Sequence, residues 1–472
     1  MSDAFCGYSK RFFFPNEKIS QLLIVGICLA AAAIMIPVAP VFQADSSSYL
    51  DFIPGRTAGY PLLLRAFGAR GIVILQPMIF AAALAGLALE MLKVSQSPLV
   101  ALAYCLVCLI NPEVNIFHVT ILTESIFMTF CLLFLTATLR FIRLTSLQSL
   151  LFASLFAGLA AITRPTGYAL LPVLAFMVLM PGLKTEGRRL ALLLAALLPL
   201  LTLGFAERLA TNAYHGAEAT SLAGRHYYAK AALLEAPPAA SGETDPHAII
   251  LEQALDERFA SIRNLLRHQT RWDVRQYFSE NYETCLEYAC VSDLRTTIAL
   301  PAPAFNEMAL RVGLARIQRA PLAFLALTWD HYLSLWTMYK AQYPYATPFL
   351  NTTLKENNPL PFANLAEFPQ HIEPRFLAMI VRPAIQLIGF LTAALALVGL
   401  ASVLLRQPLH APLAAATLSS LSLHSCLMFT AILGVGIPRY TLSMWPIMMT
   451  AVILVSCWCA TRMGLIFHTV RI

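Results

Sequence analysis

Charged residues are scarce in this chain. Only 12% of the 472 residues are charged, 58% are hydrophobic, and the mean hydropathy is +0.66. Soluble domains carry about 25% charged residues, so this chain lacks the polar surface needed to cover its apolar residues in water. The scarcity excludes an ordinary soluble enzyme, a disordered protein and a secreted disulfide scaffold. The net charge of +7 requires no nucleic-acid partner, because membrane insertion places basic residues in cytoplasmic loops.

Long apolar blocks stand where the charge is missing, and they predict an all-α polytopic membrane protein. Each block approaches the roughly 20 residues that a helix needs to cross about 30 Å of hydrocarbon. None alternates in the manner of an outer-membrane barrel strand. We predict about ten transmembrane helices, at 19–41, 71–92, 97–112, 119–139, 147–162, 167–183, 190–206, 377–404, 411–434 and 441–461. The third, fifth and sixth blocks are short, so tilted or partly re-entrant helices are expected there.

The distribution of charge predicts the orientation. With a cytoplasmic N-terminus, basic residues outnumber acidic ones in the cytoplasmic loops, as the positive-inside rule requires. Three parts follow, namely an N-terminal transmembrane module (1–206) whose first external loop spans 43–70, an external domain (207–376) and C-terminal transmembrane helices (377–472). We expect both termini in the cytoplasm and the external domain in the periplasm of a bacterial inner membrane.

The predicted external domain is too long to be a simple connection. Helical periodicity appears at Ile249–Leu266 and again at Ala309–Trp336, where the apolar face suits a helix on the membrane surface or over the ends of the spans. Cys285 and Cys290 are the cysteines of this domain, and an oxidising compartment favours a small disulfide between them. Two free thiols are the alternative.

Ionisable side chains at the predicted external boundary carry the functional signal, because a charge there is costly unless it is paired or faces water. The candidates are Asp45, Asp51, Arg56 and Tyr60 in the loop after span one, Glu113, His118 and Glu124 around the start of span four, Arg164 between spans five and six, and Arg439 with Tyr440 before span ten.

Each place also has a structural interpretation. Asp45 is a possible helix cap, Glu124 a buried acid paired with an arginine, and Arg164 a loop residue at the headgroup level. Taken together, the four places put carboxylates and arginines on one face of the bundle. Arginine binds phosphate through charge-assisted hydrogen bonds, and a carboxylate can remove a proton from a hydroxyl. This combination suits a reaction on an anionic lipid.

The order of these segments resembles the GT-C superfamily of membrane glycosyltransferases, which use polyprenyl-phosphate sugars and include the protein mannosyltransferases and aminoarabinose transferases. Asp45 to Tyr49 followed by GRTAGYPLLLRAFG is similar to the first external loop of that superfamily. NPEVNIFHVTILTESIFMTFCLLFL resembles its junction of the third and fourth spans, GLAAITRPTGYALLPVLAF is the best match, and IPRYTLSMWPIMMTA resembles its late Arg-Tyr…Pro turn. The resemblance implies a GT-C-like fold. It also implies inverting transfer of a sugar to an acceptor hydroxyl at the external face.

The resemblance makes Asp45 the candidate catalytic base, with Asp51 as the alternative. Ser46 follows Asp45 where several branches of the superfamily have a second acid, which leaves both this choice and a divalent metal open. The motifs identify no certain cofactor and leave a divalent metal possible, although the external histidines have no spacing typical of a metal site. Glu113 and His118 are secondary candidates.

The remaining roles implied by the resemblance concern substrate binding. Arg164 and Arg439, with Tyr440, would hold the lipid phosphate, while Arg56 and Tyr60 would shape the sugar pocket. Glu124 would orient the acceptor or support Asp45. The expected partners are a polyprenyl-phosphate sugar donor, membrane lipids and a lipid, glycan or protein acceptor, with no nucleic acid.

Three other classes of protein compete with this hypothesis. A transporter or lipid flippase would place its charges near the midplane on broken helices, often in inverted repeats. An acyl- or phosphotransferase would need its own nucleophile or metal, and a non-catalytic assembly protein would leave Asp45 without a role. A cavity at the external face lined by Asp45, Arg164 and Arg439 would favour the glycosyltransferase over a transporter.

Overall fold

The computed structural model describes most of the chain. The described residues are 17–37, 39–43, 45–181, 189–237, 245–257, 259–271, 273–275, 277, 294–296, 298–336, 382–434 and 438–463. Cys285 and Cys290 lie outside them, so the predicted disulfide stays a prediction. The side chain of Glu113 also lies outside the described part.

The described chain is helical, and its β pairing consists of isolated bridges. Two 3₁₀ segments, Pro165–Leu170 and Gly216–Glu218, interrupt the α-helices. In chain order the α-helices are α1 (Glu17–Met35), α2 (Ser46–Leu50), α3 (Gly59–Ser95), α4 (Pro98–Ile110), α5 (Pro112–Val119), α6 (Glu124–Leu144), α7 (Leu147–Thr163), α8 (Leu171–Leu179), α9 (Arg189–His215), α10 (Ala223–Ala231), α11 (Pro246–Glu257), α12 (Ala260–Arg267), α13 (Ala302–Arg319), α14 (Pro321–Ser334), α15 (Arg382–Leu404), α16 (Ala411–Leu433), α17 (Pro438–Leu442) and α18 (Trp445–Arg462).

Seven helices of the described chain are long and apolar enough to cross a membrane. They are α1, α3, α6, α9, α15, α16 and α18. Three shorter apolar helices, at Pro98–Ile110, Leu147–Thr163 and Pro165–Leu179, correspond to the three blocks that the sequence marked as short. The predicted fold class, an all-α polytopic membrane protein, is confirmed.

The start of α6 differs from the prediction. The block 119–139 predicted a helix from residue 119, whereas α6 begins at Glu124. Val119 is instead the last residue of α5, and Val41 pairs with the chain between α5 and α6, because its N–H donates to the Val119 carbonyl (3.1 Å) and its carbonyl accepts from the Ile121 N–H (2.9 Å). The apolar composition continues across this bridge, so hydropathy alone does not reveal it. The bridge brings the loop after α1 next to the start of α6.

Helix α3 joins the first loop to a membrane span. Its 37 residues contain the predicted span 71–92, and Gly68 divides it with a φ of 66°. Glycine adopts this left-handed conformation without the steric cost of a β-carbon. The short N-terminal piece of α3 therefore lies at its own angle and carries Tyr60 into the packed interior beside the loop.

The described residues between 216 and 336, here called the helical domain, cover one end of the bundle. The predicted helix Ile249–Leu266 is divided into α11 and α12, and Ala309–Trp336 into α13 and α14, with Pro321 at the start of α14. Helix α10 packs on α13, and α14 packs on α16. Hydrogen bonds attach the domain to the bundle. The buried Lys230 Nζ donates to the Ala431 carbonyl, and Thr441 Oγ1 donates to the Leu335 carbonyl at 2.7 Å.

An ion-pair cluster links the C-terminal ends of α3 and α6. The Glu90 carboxylate is buried and accepts from Lys93 Nζ at 2.9 Å and from Arg143 Nη2 at 3.1 Å. Lys93 lies in the last turn of α3 and Arg143 in the last turn of α6. Basic groups near helix C-termini also interact favourably with the helix dipole.

Candidate functional site

Five charged side chains meet where the bundle contacts the helical domain. Asp45 and Arg56 come from the first loop, Glu124 from α6, Arg164 from the end of α7 and Arg439 from α17. Arg439 joins the two halves of this cluster, since it contacts both carboxylates. The four segments that the sequence singled out are therefore adjacent in space.

Asp45 precedes α2 but makes no capping hydrogen bond with its side chain. Instead its Oδ1 accepts from Arg56 Nη2 at 2.9 Å, and its Oδ2 lies 3.6 Å from Arg439 Nη2. The backbone carbonyl of Asp45 is held by the Ser48 hydroxyl at 2.6 Å. The geometry thus favours an ion-pairing role over helix capping.

Glu124 is the first residue of α6 and is almost completely buried. Its Oε1 lies 3.1 Å from Arg439 Nε and 3.4 Å from Arg164 Nη1. A carboxylate at a helix N-terminus also interacts favourably with the helix dipole. The buried Glu124 carboxylate consequently holds the guanidinium groups of Arg164 and Arg439 close to each other.

The Arg-Pro-Thr-Gly sequence explains how Arg164 reaches the site. Pro165 cannot continue α7 and disfavours helical geometry in the residue before it, so Arg164 adopts an extended conformation (φ −150°, ψ 128°). Gly167 then allows the 3₁₀ segment to fold back against α7, since a β-carbon there would lie 2.6 Å from the Ala161 Cα. The turn leaves the Arg164 side chain directed at Glu124.

Tyr440 provides an aromatic surface between the two arginines. The Arg164 guanidinium carbon lies 4.4 Å from the centre of the Tyr440 ring, and that of Arg439 lies 5.4 Å from it. Tyr49 does the same for Arg56, at 4.5 Å, and accepts a hydrogen bond from Arg56 Nη1 at 3.2 Å. Stacking on aromatic rings restricts the planar guanidinium groups while leaving further donors for a ligand.

The cluster carries an excess of positive charge, with three guanidinium groups against two carboxylates. Burial acts to raise the pKa of Asp45, but the opposing effect of Arg56 and Arg439 is larger and lowers it below the ordinary value. Asp45 is therefore ionised at neutral pH. The site is suited to an anion that accepts hydrogen bonds from arginine.

A cavity of about 850 Å³ opens beside this cluster, between the helix ends and the helical domain. Asp45, Tyr49, Arg56, Arg164 and Arg439 line it. Polar residues of α9, of the segment before α10 and of α10 itself also line it, namely Glu207, Arg208, Thr211, Asn212, Thr220, Ser221, Arg225 and His226. The volume is within the usual range for small-molecule sites.

The structure places four of the sequence candidates outside the lining of the cavity, namely Tyr60, His118, Asp51 and Glu124, the last of which reaches the site through Arg164 and Arg439. Tyr60 was predicted to shape the sugar pocket, but it is completely buried behind Tyr49, 5.4 Å away ring to ring, and donates to Gln76 at 3.0 Å. His118 is also buried, with its Nδ1 2.8 Å from the Ser125 hydroxyl. Asp51 is exposed at the end of α2. Of the two candidate bases, Asp45 lines the cavity and Asp51 does not, while Tyr60 lies behind Tyr49. The roles of these residues stay predictions.

The sequence analysis missed the contribution of α9. Glu207 and Arg208 follow directly on the predicted span 190–206, and both line the cavity. A single acidic and basic pair after a span is indistinguishable from ordinary loop residues. Helix α9 continues through His215, and this extension carries both residues to the cavity.

The described residues contain no set of side chains that could bind a divalent metal. No group of three or more His, Cys, Asp or Glu side chains lies close enough there to hold an ion. Asp45 and Glu124 are instead paired with arginines. We derive no step through a metal.

Comparisons with known proteins add little to the geometry. No family model and no curated protein matches the chain. Among solved structures, it is similar to the crystal structure of ArnT from Cupriavidus metallidurans bound to undecaprenyl phosphate, at 12% identity, over 89% of this chain and 77% of that chain. The TM-score is 0.31, which is too low to carry an argument about the site or the reaction.

Proposed function

We propose that the protein is an inverting glycosyltransferase that moves a sugar from a polyprenyl-phosphate donor to an acceptor hydroxyl. The observation that carries the proposal is that an ionised carboxylate and the three guanidinium groups around it, those of Arg56, Arg164 and Arg439, line a cavity at the helix ends. Asp45 is held by Arg56 at 2.9 Å, while Arg164 and Arg439 share Glu124. The order of these segments, which resembles the GT-C superfamily, supports the same reaction.

Asp45 acts as the base in this mechanism. The acceptor hydroxyl approaches the anomeric carbon from the face opposite the phosphate, and its oxygen forms the new bond to that carbon. The old bond between the anomeric carbon and the phosphate oxygen breaks, its electron pair stays on the lipid phosphate, and the configuration inverts. The hydroxyl proton passes to Asp45. A carboxylate with a lowered pKa serves here because the proton becomes strongly acidic only as the new bond forms.

Arg164 and Arg439 bind the phosphate of the donor and stabilise the negative charge that grows on it as the bond breaks. Stabilisation of developing charge by fixed donors is often the largest catalytic contribution. The pair is held in advance by Glu124 and Tyr440, so little reorganisation is needed. The excess of one positive charge in the cluster matches the single charge of a phosphodiester donor.

Location at the helix ends supports an enzyme more than a transporter. Glu124 begins α6, Arg164 ends α7 and Arg439 lies in the short helix before α18. A transporter would place such groups near the middle of the membrane. We further propose a bacterial inner membrane with this site on the periplasmic face and the division 1–206, 207–376 and 377–472, on the basis of the charge distribution.

A transfer assay tests the proposal. Purified protein is incubated with a panel of radiolabelled polyprenyl-phosphate sugars and with membrane extract as the acceptor. We expect label to move from one donor to the extract, with release of polyprenyl phosphate, and to remain on the donor with Asp45→Asn. Movement of an intact labelled donor across a reconstituted vesicle membrane, with no transfer, would instead identify a transporter.

A further inference from the structure

The loop that carries Arg56 is attached to three different parts of the protein. Gly55 forms a bridge with Ser221 of the helical domain. The Thr57 hydroxyl donates to the Thr163 carbonyl at the end of α7, at 3.0 Å. The Ala58 N–H donates to Glu207 Oε1 on α9, also at 3.0 Å. Only the last of these attachments depends on an ionisable side chain.

Glu207 is itself oriented by its own helix. The Thr211 hydroxyl, one turn later, donates to the same Oε1 at 3.0 Å. The carboxylate therefore accepts two hydrogen bonds on one oxygen, although it lines an open cavity where a free side chain would be mobile. A hydrogen bond from a backbone N–H to an ionised carboxylate is among the stronger kinds.

The attachment lies close to the proposed base along the chain. Ala58 is two residues from Arg56, and Arg56 Nη2 makes the shorter of the two ion pairs of Asp45. The carbonyl of Ala58 accepts from the Leu62 N–H, so the same residue also starts α3. Loss of the bond to α9 would free the segment that sets the position of the Arg56 guanidinium.

We propose that Glu207 is a positioning residue that holds residues 55–58 so that Arg56 stays paired with Asp45. The inference rests on the proposed function for its effect on rate, but the structural claim does not. Glu207 acts through the backbone and Arg56, and it makes no contact with the reacting atoms in this account.

The charged surroundings of Asp45 determine what a shift in its titration means. Arg56 faces it from its own loop and Arg439 from α17, while Glu124 lies on the other side of Arg439. Arg164 is held by Glu124, and the Tyr49 phenol is bonded to Arg56. If Arg56 moves away, Asp45 keeps the ion pair with the more distant Arg439 but loses the closer one. The pKa of Asp45 then rises.

Glu207→Ala and Glu207→Gln separate the roles that Glu207 can play. Alanine removes the acceptor oxygen, whereas the glutamine amide oxygen still accepts from the Ala58 N–H without a charge. We expect Glu207→Ala to lower kcat by about tenfold or more, because small misplacements of catalytic groups are costly. The acid limb of kcat/KM should move to higher pH, as it should in Arg56→Ala, and Glu207→Gln should restore both. The KM for the donor should stay within about twofold.

Hydrogen exchange measured by mass spectrometry tests the positioning claim without any substrate. We expect the peptide covering residues 53–59 to exchange faster in Glu207→Ala than in the wild type, and to return to the wild-type rate in Glu207→Gln. Arg208→Ala is the matched control, since Arg208 is the next residue of α9 and lines the same cavity but makes none of these bonds. It should leave the exchange of this peptide unchanged.

The kinetic measurement and the hydrogen-exchange measurement can contradict the proposal in different ways. Unchanged exchange in Glu207→Ala would overturn the positioning role whatever the activity. Equal losses in Glu207→Gln and Glu207→Ala, with a raised KM and an unmoved acid limb, would also overturn it and assign Glu207 a charged contact with a ligand. If the variants show the expected changes in hydrogen exchange but the wild-type protein transfers no sugar, the proposed function is contradicted and the positioning role remains.

Discussion

Glu124 and Arg439 form an ion pair of 3.1 Å between the start of α6 and the short helix before α18. Both side chains are nearly completely buried, with 2% and 6% of their surface exposed. Removing either side chain would leave the charge of the other buried without compensation, which is strongly destabilising. Glu124 and Arg439 therefore depend on each other for their buried positions. Arg439 reaches Asp45 from the same position, and the pair therefore connects the C-terminal helices to the first loop.

Replacement of either phosphate-binding arginine by lysine should weaken donor binding although the charge is kept. Lysine cannot reproduce the planar pair of donors, and a charge-assisted hydrogen bond contributes about 1.5–3 kcal/mol. We expect Arg164→Lys and Arg439→Lys each to raise the Kd for a polyprenyl-phosphate sugar about tenfold or more. Arg311→Lys is the control, because Arg311 is exposed on the helical domain. Unchanged donor affinity in both site variants would remove the phosphate-binding role.

Loss of the Glu124 carboxylate should affect both stability and donor binding. Glu124→Ala leaves two arginines facing each other without their shared partner and should cost about 3–5 kcal/mol of folding stability. Thermal unfolding in detergent measures the first effect and donor titration the second. Glu90→Ala is the matched control, since Glu90 also pairs with two basic side chains but lies at the other end of α3. That variant should lose stability while its donor affinity stays normal, and equal donor effects in both would argue against a specific role for Glu124.

The pH dependence of the reaction should reflect the lowered pKa of Asp45. Because the pKa is lower in the folded protein, the ion pairs of Asp45 stabilise the protein above the unfolded value of about 3.9. That stability is lost as the pH falls through the folded pKa. We expect kcat/KM to stay level down to about pH 5 and to fall only below the ordinary aspartate range. An acid limb near pH 6 or above would show that another group carries the proton.

Gly167 should be required for the position of Arg164. An added β-carbon would lie 2.6 Å from the Ala161 Cα, and backbone of a neighbouring helix cannot move away cheaply. Gly167→Ala should therefore lower stability and donor affinity together. Gly26→Ala in α1 is the control, because no atom lies within 4 Å of the added carbon there. Full donor affinity in Gly167→Ala would separate this turn from phosphate binding.

The sequence predicted the features that depend on composition and local chemistry. Hydropathy identified the apolar helices, and the cost of charge at the membrane boundary singled out Asp45, Glu124, Arg164 and Arg439. The structure brings these four side chains together. Arg164 was foreseeable in detail because Pro165 both ends α7 and extends the residue before it.

Other features depend on contacts that leave no mark in the sequence. Tyr60 lies in the same loop motif as Arg56, but the phase of α3 turns it into the interior. The start of α6 is set by a bridge to Val41, whose partner groups are backbone atoms. Glu207 likewise bonds a backbone N–H, that of Ala58. Backbone groups are present at every residue, so no residue pattern identifies the last two arrangements.

The most direct test of the account is single-turnover sugar transfer by Asp45→Asn beside Asp51→Asn. The first variant removes the proposed base while keeping its shape, and the second removes an exposed acid of the same loop. We predict that Asp45→Asn folds and binds donor but loses about 10²–10⁴-fold in rate, as expected for loss of a general base, while Asp51→Asn stays near the wild-type rate. Near-normal transfer by Asp45→Asn together with loss in Asp51→Asn would contradict the mechanism.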